Sequence, residues 1–163
     1  MGYQLIETIS VGSGGAASIE FTGIPQDGVD LQIAISARSS STTNALYMGV
    51  NDELTDVTGI RLSGSGSGAS SGTTGSGFFG YLSISSDTSN TFGNSSVYIS
   101  NYTSSSNKSL SVDSVSENNA TAAQQGIFAL SWASTAAITG IRLLTAGNLA
   151  QYSTASLYKI TAD

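Results

Sequence analysis

Apolar and polar residues alternate along this chain with a period of two, in short segments set apart by clusters of Gly, Ser, Asn and Asp. Ile19 and Phe21 alternate with Ser18 and Glu20. Leu31, Ile33 and Ile35 alternate with Gln32, Ala34 and Ser36, and Tyr98 opposes Val97 and Ile99. Phe128, Leu130 and Trp132 share one face, with Ile127, Ala129 and Ser131 on the other. A period of two gives a strand one buried and one wet side, so each of these segments is expected to be a half-buried strand. Further strands are expected near 3–11, 46–50, 60–62, 78–84, 138–144 and 157–160. The parity slips once. Leu110 and Val112 lie between Ser109, Ser111 and Asp113, but Val115 falls on the other parity, which predicts a bulge there. About ten strands result, and the chain reads as a single all-β domain over 1–163, an antiparallel sandwich or barrel. Helix signals are thin: 120–125 favours a turn or two until Gly126 ends it. The sole proline, Pro25, fits a bend after the strand holding Ile19 and Phe21.

The tract 64–77 contains only Gly, Ser, Ala and Thr, so it is expected to be a mobile surface loop. The alternative is an ordered contact loop. An echo also runs through the chain. Thr58-Gly59-Ile60-Arg61-Leu62 returns as Thr139-Gly140-Ile141-Arg142-Leu143, and without flanking similarity it reads as strand convergence rather than duplication.

Composition narrows the function. A chain of 163 residues buries about two-thirds of its surface on folding, enough for one core. Only 10% of residues are charged, against about 25% in ordinary domains, so the surface must be built from Ser, Thr, Asn and Gly. Five cations and a net charge of −6 repel phosphate, which argues against nucleic acid as a partner. No apolar run reaches the roughly 18 residues of a membrane span, and no membrane association is expected. The N-terminus shows no basic and apolar leader pattern, and Ile6 stands where a myristoylation motif has Ser or Thr.

The chain has no His and no Cys. Gly68-Ala69-Ser70-Ser71-Gly72 matches a nucleophile elbow, yet the triad's usual base is missing. Gly75-Ser76-Gly77-Phe78-Phe79-Gly80 matches a dinucleotide fingerprint, but a Gly/Ser tract precedes it and a strand follows. Glycoside hydrolysis needs only two carboxylates, but most of the eleven acids fall at strand ends or turns, where Asp serves the backbone. Asn51, Asp52, Glu53 and Asp56 offer hard oxygen ligands without calcium-loop spacing, and read as a solvated turn. Sequons at Asn94, Asn101, Asn107 and Asn119 are about as many as composition yields by chance. Trp132 shares parity with Phe128 and Leu130 and is expected in the core rather than on a sugar-stacking platform. No enzyme activity, cofactor or metal is expected.

Several segments resemble a family of small virion structural proteins of tailed bacteriophages. The likeness lies in Ser18-Ile19-Glu20-Phe21-Thr22-Gly23-Ile24-Pro25-Gln26 with Asp30-Leu31 and Ile35-Ser36-Ala37-Arg38. It continues in Val97-Tyr98-Ile99-Ser100-Asn101-Tyr102, in Asn107-Lys108-Ser109 and Asp113 through Asn119, and in Trp132, Ile138-Thr139-Gly140-Ile141-Arg142-Leu143 and Ser153-Thr154-Ala155-Ser156-Leu157-Tyr158. Gly49-Val50-Asn51-Asp52-Glu53 departs from the Asn-Gly-Asp type of turn expected after the fourth strand, and 64–77 looks like an insertion. The resemblance implies a jelly-roll-like β-sandwich on the virion, assembled in the host cytoplasm. It implies a capsid decoration protein, a homotrimer bound to the major capsid protein or other virion proteins. The alternative is a receptor- or carbohydrate-binding module of a tail or head fibre, with a host glycan as ligand. Tyr98, Tyr102 and Tyr152 are the candidate aromatic contacts to a partner.

Overall fold

A computed structural model describes residues 2–118 and 123–162. They form twelve strands: β1 (Gly2–Ser10), β2 (Ala16–Thr22), β3 (Asp30–Ala37), β4 (Ala45–Val50), β5 (Val57–Gly64), β6 (Ala69–Thr74), β7 (Phe78–Tyr81), β8 (Gly93–Ile99), β9 (Lys108–Glu117), β10 (Ala123–Trp132), β11 (Gly140–Leu149) and β12 (Thr154–Thr161). Eight of them build one antiparallel sheet in the order β1-β12-β3-β8-β9-β10-β5-β6, and four build a second, β2-β11-β4-β7. The two pack face to face as a β-sandwich.

The alternation predicts which side each strand buries. Leu31, Ile33, Ile35, Val97, Ile99, Phe128, Leu130 and Trp132 point inward from the large sheet, against Ile19, Phe21, Met48, Ile141 and Leu143 of the small one. Phe78, Tyr81 and Phe128 form a ring cluster with centroids 5.5–5.7 Å apart, and the glycine at 126 makes room for it. A Cβ at Gly126 would lie 2.7 Å from the rings of both Phe128 and Tyr81.

Three expectations are corrected. The tract 64–77 is not a mobile loop: Ala69–Thr74 is strand β6, in register with β5 from Gly59↔Thr74 to Gly64↔Ala69. Its turn is closed by the Ser65 N–H donating to the Gly68 carbonyl, with Gly66 at φ +82°. Backbone pairing needs no apolar side chain, so a strand with almost nothing to bury still forms at the sheet edge. The bulge expected at Val115 is absent. The β9–β10 register runs unbroken from Glu117↔Ala123 to Lys108↔Trp132. The inner side passes from Leu110 and Val112 to the buried Ser114 and Ser116, while Val115 takes the outer side. Ser114 is satisfied: its Oγ lies 2.8 Å from Ser95 Oγ and accepts the Tyr81 N–H at 2.7 Å. Finally, the helical turn expected at 120–125 does not extend to Ala123–Gln125, which open β10; Asn119 and 120–122 lie outside the described residues.

Candidate functional site: an uncovered sheet face

Four of the five cations are tied down by the fold. Lys108 is buried, and its ammonium donates to the carbonyls of Ser104, Ser106 and Ala136 at 2.6–2.7 Å while lying 5.5 Å over the Trp132 ring. Burial lowers its pKa from the ordinary lysine value, and the three carbonyls replace the lost water. Lys159 is also buried and reaches both Asp27 carboxylate oxygens at 2.6 Å, a hydrogen bond that lowers the Asp27 pKa. Arg38 donates to the carbonyls of Ser85, Asp87, Thr88 and Thr91, holding the loop between β7 and β8. Arg61 points inward with its guanidinium 5.3 Å over Phe78, and the Nε atoms of Arg61 and Arg142 are both buried.

The large sheet has a second face that is mostly exposed, covered only at the corner where Asp30 and Ile160 are buried. Cross-strand register traces two adjacent rows over it. One runs Leu5, Tyr158, Gln32, Tyr98, Ser111, Ala129, Ile60, Thr73 from β1 to β6. The other runs Thr8, Ser156, Ala34, Ser96, Asp113, Ile127, Leu62, Ser71. At the β10-β5-β6 end, Ile60, Leu62 and Ile127 are 62%, 64% and 58% exposed. They border a shallow groove of about 420 Å³ with Ser71, Gly72 and Thr73 on its far side. At the β1 end, Tyr3 and Leu5 are 65% and 52% exposed. Between these ends lies a polar seam of Gln32, Ser96, Ser111 and Asp113. Exposed aliphatic clusters of this kind occur at interaction surfaces and ligand-binding grooves.

The structure separates the three tyrosines. Tyr98 stands on this face, its hydroxyl donating 2.6 Å to Asp30, and that bond to the carboxylate raises its pKa. Tyr152 is exposed in the turn between β11 and β12 at φ +72°. Tyr102 is wholly buried and touches no surface; its hydroxyl donates to the Pro25 carbonyl and accepts the Gly28 N–H at 3.1 Å. As a partner contact Tyr102 is therefore excluded, and it acts instead as a tie between loops.

The motif matches resolve into ordinary structure. Ser70 lies within β6, hydroxyl to hydroxyl with Ser63 at 3.0 Å, and no strand–turn–helix elbow surrounds it. In the acidic turn, Asn51 does the work of a cap: its Oδ1 accepts the N–H groups of Thr139 and Gly140 at 2.8 and 3.1 Å, and its Nδ2 donates to the Ala137 carbonyl. Among the described residues no three His, Cys, Asp or Glu side chains converge as metal ligands. The parity of β10 set Ile127 opposite the core face, but its clustering with an exposed Ile60 and Leu62 escaped the sequence reading, because a strand with Ile and Leu on one parity is normally read as buried on that parity. The available signal was β6, whose lack of apolar side chains leaves β5 beside a neighbour that buries nothing. Comparison with protein families, with curated proteins and with solved structures finds no match for the chain.

Proposed function

We propose that the protein is a non-enzymatic structural protein of a tailed-bacteriophage virion, decorating the head as a homotrimer in contact with the major capsid protein. The observation that carries this reading is the eight-stranded sheet, whose outer face is mostly exposed, whose edge strands β1 and β6 each pair on one side only, and which displays Ile60, Leu62 and Ile127 to solvent. Uncovered edges and aliphatic clusters are liabilities for a free domain and contact surfaces for an assembled one. The connectivity supports the same reading. With the hairpins β5–β6 and β9–β10 set aside, eight strands remain, ordered β1-β12-β3-β8 and β2-β11-β4-β7. They form four nested antiparallel pairs, β1 with β12, β2 with β11, β3 with β8 and β4 with β7. Such nesting is the order of a jelly roll, an architecture used by capsid domains. With only five cations in the chain, assembly would rest on burial and hydrogen bonds and depend little on salt.

Tyr3, Tyr98 and Tyr158 on the same face favour the second reading, a glycan-binding module of a fibre. Adding purified protein to emptied capsids separates the two. Copies at three-fold positions of the head in electron micrographs are the expected result. Failure to bind capsids, together with saturable glycan binding that Tyr98→Ala abolishes, overturns the decoration reading.

A further inference from the structure

We propose that copies of this chain join head to tail through the two edges of the large sheet, β6 of one copy pairing with β1 of the next. This deepens the assembly reading above and rests on it only for the closure of a ring.

The large sheet has eight strands, each antiparallel to its neighbours, so its two edge strands run in opposite directions. A second copy turned about an axis parallel to the strands therefore presents β1 antiparallel to β6, with the same face outward. The side-chain alternation continues across such a junction over Gly2–Leu5, as far as the register shift of β1 between Leu5 and Glu7.

Side chains fit at the same place. The row Leu5, Tyr158, Gln32, Tyr98, Ser111, Ala129, Ile60, Thr73 crosses the sheet with one residue from each strand. Continued without a step, it sets Leu5 of the next copy against Thr73, with Ile60 one strand further in. Two residues along each strand, Tyr3 comes level with Gly75, which has no side chain. The tall, exposed residues of β1 thus meet short ones on β6, and the groove beside Ile60 and Leu62 receives the incoming leucine. Pairing β6 with β6 would instead set short side chains on short ones and leave Tyr3 and Leu5 exposed.

Charge permits the contact. In a chain of net charge −6, residues 57–86 carry a single charged side chain, Arg61, so the β6 end is the sector that least repels another copy. Edge β6 also lacks the usual defences, having no charge, no proline and an unbroken register with β5. Even a full six-residue pairing would cover only roughly 300 Å² per side, taking about 20 Å of strand, and the register shift of β1 after Leu5 shortens it, against about 800 Å² per partner in a stable interface. One junction is therefore weak. A closed ring, where every copy uses both edges and none is left open, is the stable product.

The test is solution mass by light scattering, from dilute to concentrated protein, with no capsid present. Junction and capsid binding can then fail independently of one another. The wild type is expected to form a closed oligomer, and Leu5→Lys and Thr73→Glu, both at exposed positions, to run as monomers. Circular dichroism and urea unfolding of each variant serve as the check that it is folded. The double variant Leu5→Lys/Thr73→Glu is expected to recover the oligomer, because every head-to-tail junction then pairs the new lysine with the new glutamate. A monomeric wild type at all concentrations overturns the proposal. So does loss of assembly with Thr73→Glu while Leu5→Lys still assembles, which would indicate β6–β6 pairing, or a double variant that stays monomeric.

Discussion

Tyr102→Phe removes one oxygen atom and tests the claim that this residue ties loops together rather than contacting a partner. In the folded chain the backbone N–H of Tyr102 donates to Val29, its carbonyl accepts from Ile138, and its hydroxyl bridges Pro25 and Gly28. The residue therefore joins the loops that follow β2, β8 and β10. Gly28 permits the approach, since a Cβ there would lie 3.0 Å from the hydroxyl. Each hydrogen bond contributes about 1 kcal/mol net, and buried partners left without one cost about 1–3 kcal/mol more. The loss should be about 2–4 kcal/mol, or about 4–16 °C in Tm for a chain of this size. Urea unfolding measures it, with an unchanged m-value confirming that the same surface is exposed. The pH dependence gives a second readout. Burial raises the Tyr102 pKa above the ordinary phenol value. Its contribution is thus complete below about pH 10, where the unfolded phenol titrates, and is lost as pH rises through the higher folded value. The phenylalanine variant lacks this alkaline loss. A variant within about 0.5 kcal/mol of wild type would refute the tie.

Leu130→Ala should cost about 2–5 kcal/mol in the same assay, because the side chain is buried between the sheets; a loss below about 0.5 kcal/mol would put it on the surface. Gly59→Ala places a Cβ 2.2 Å from the Ala129 carbonyl oxygen and should cost about 1–3 kcal/mol as β5 shifts from β10; an unchanged urea midpoint would contradict that close approach. The Asp27 carboxylate, held at a lowered pKa by Lys159, contributes stability that is present above pH 3.8 and lost as pH falls through the lower folded value. Asp27→Asn should therefore be less stable than wild type at neutral pH and equal to it in strong acid; a gap that persists in acid would break the argument.

The sandwich was legible because burial imposes a period of two on strands such as β3, β8 and β10, where Leu31, Val97 and Phe128 all face the core as their parity predicts. Legibility ended where backbone pairing or a polar group did the work. Strand β6 is held by its ladder to β5, and nothing in Ala-Ser-Ser-Gly-Thr-Thr marks that ladder in advance. At β9 the inner side changes from Leu110 and Val112 to Ser114 and Ser116, and the hydroxyls succeed there because Ser95 and the Tyr81 amide meet Ser114. A reading based on hydrophobicity alone turns that change into a bulge. Tyr102 went the same way. An aromatic beside a run of polar residues looks like a surface contact until the carbonyl of Pro25, far away in sequence, takes its hydroxyl.

The repeated pentapeptide isolates what sequence leaves open. Thr-Gly-Ile-Arg-Leu at 58–62 and at 139–143 forms a strand both times, yet Ile141 and Leu143 are buried at 2% and 1% while Ile60 and Leu62 are about two-thirds exposed. Local preference is the same in the two copies, so their neighbours decide. β11 lies between β2 and β4 in the small sheet and must turn its aliphatics onto the large one. β5 lies between β10 and the apolar-poor β6, and turns Gly59 and Arg61 inward, where Gly59 lets the strands close and Arg61 covers Phe78. Its aliphatics are then left on the outer face, outside the fold's own core. One substitution made at both sites tests this reading. Ile141→Ala should cost about 2–5 kcal/mol as a buried truncation, whereas Ile60→Ala should stay within about 0.5 kcal/mol. Similar losses at the two sites in monomeric protein would mean that Ile60 belongs to the core and that the outer face offers no aliphatic contact. A neutral Ile60→Ala that nonetheless weakens assembly would place the function of this strand at its exposed side.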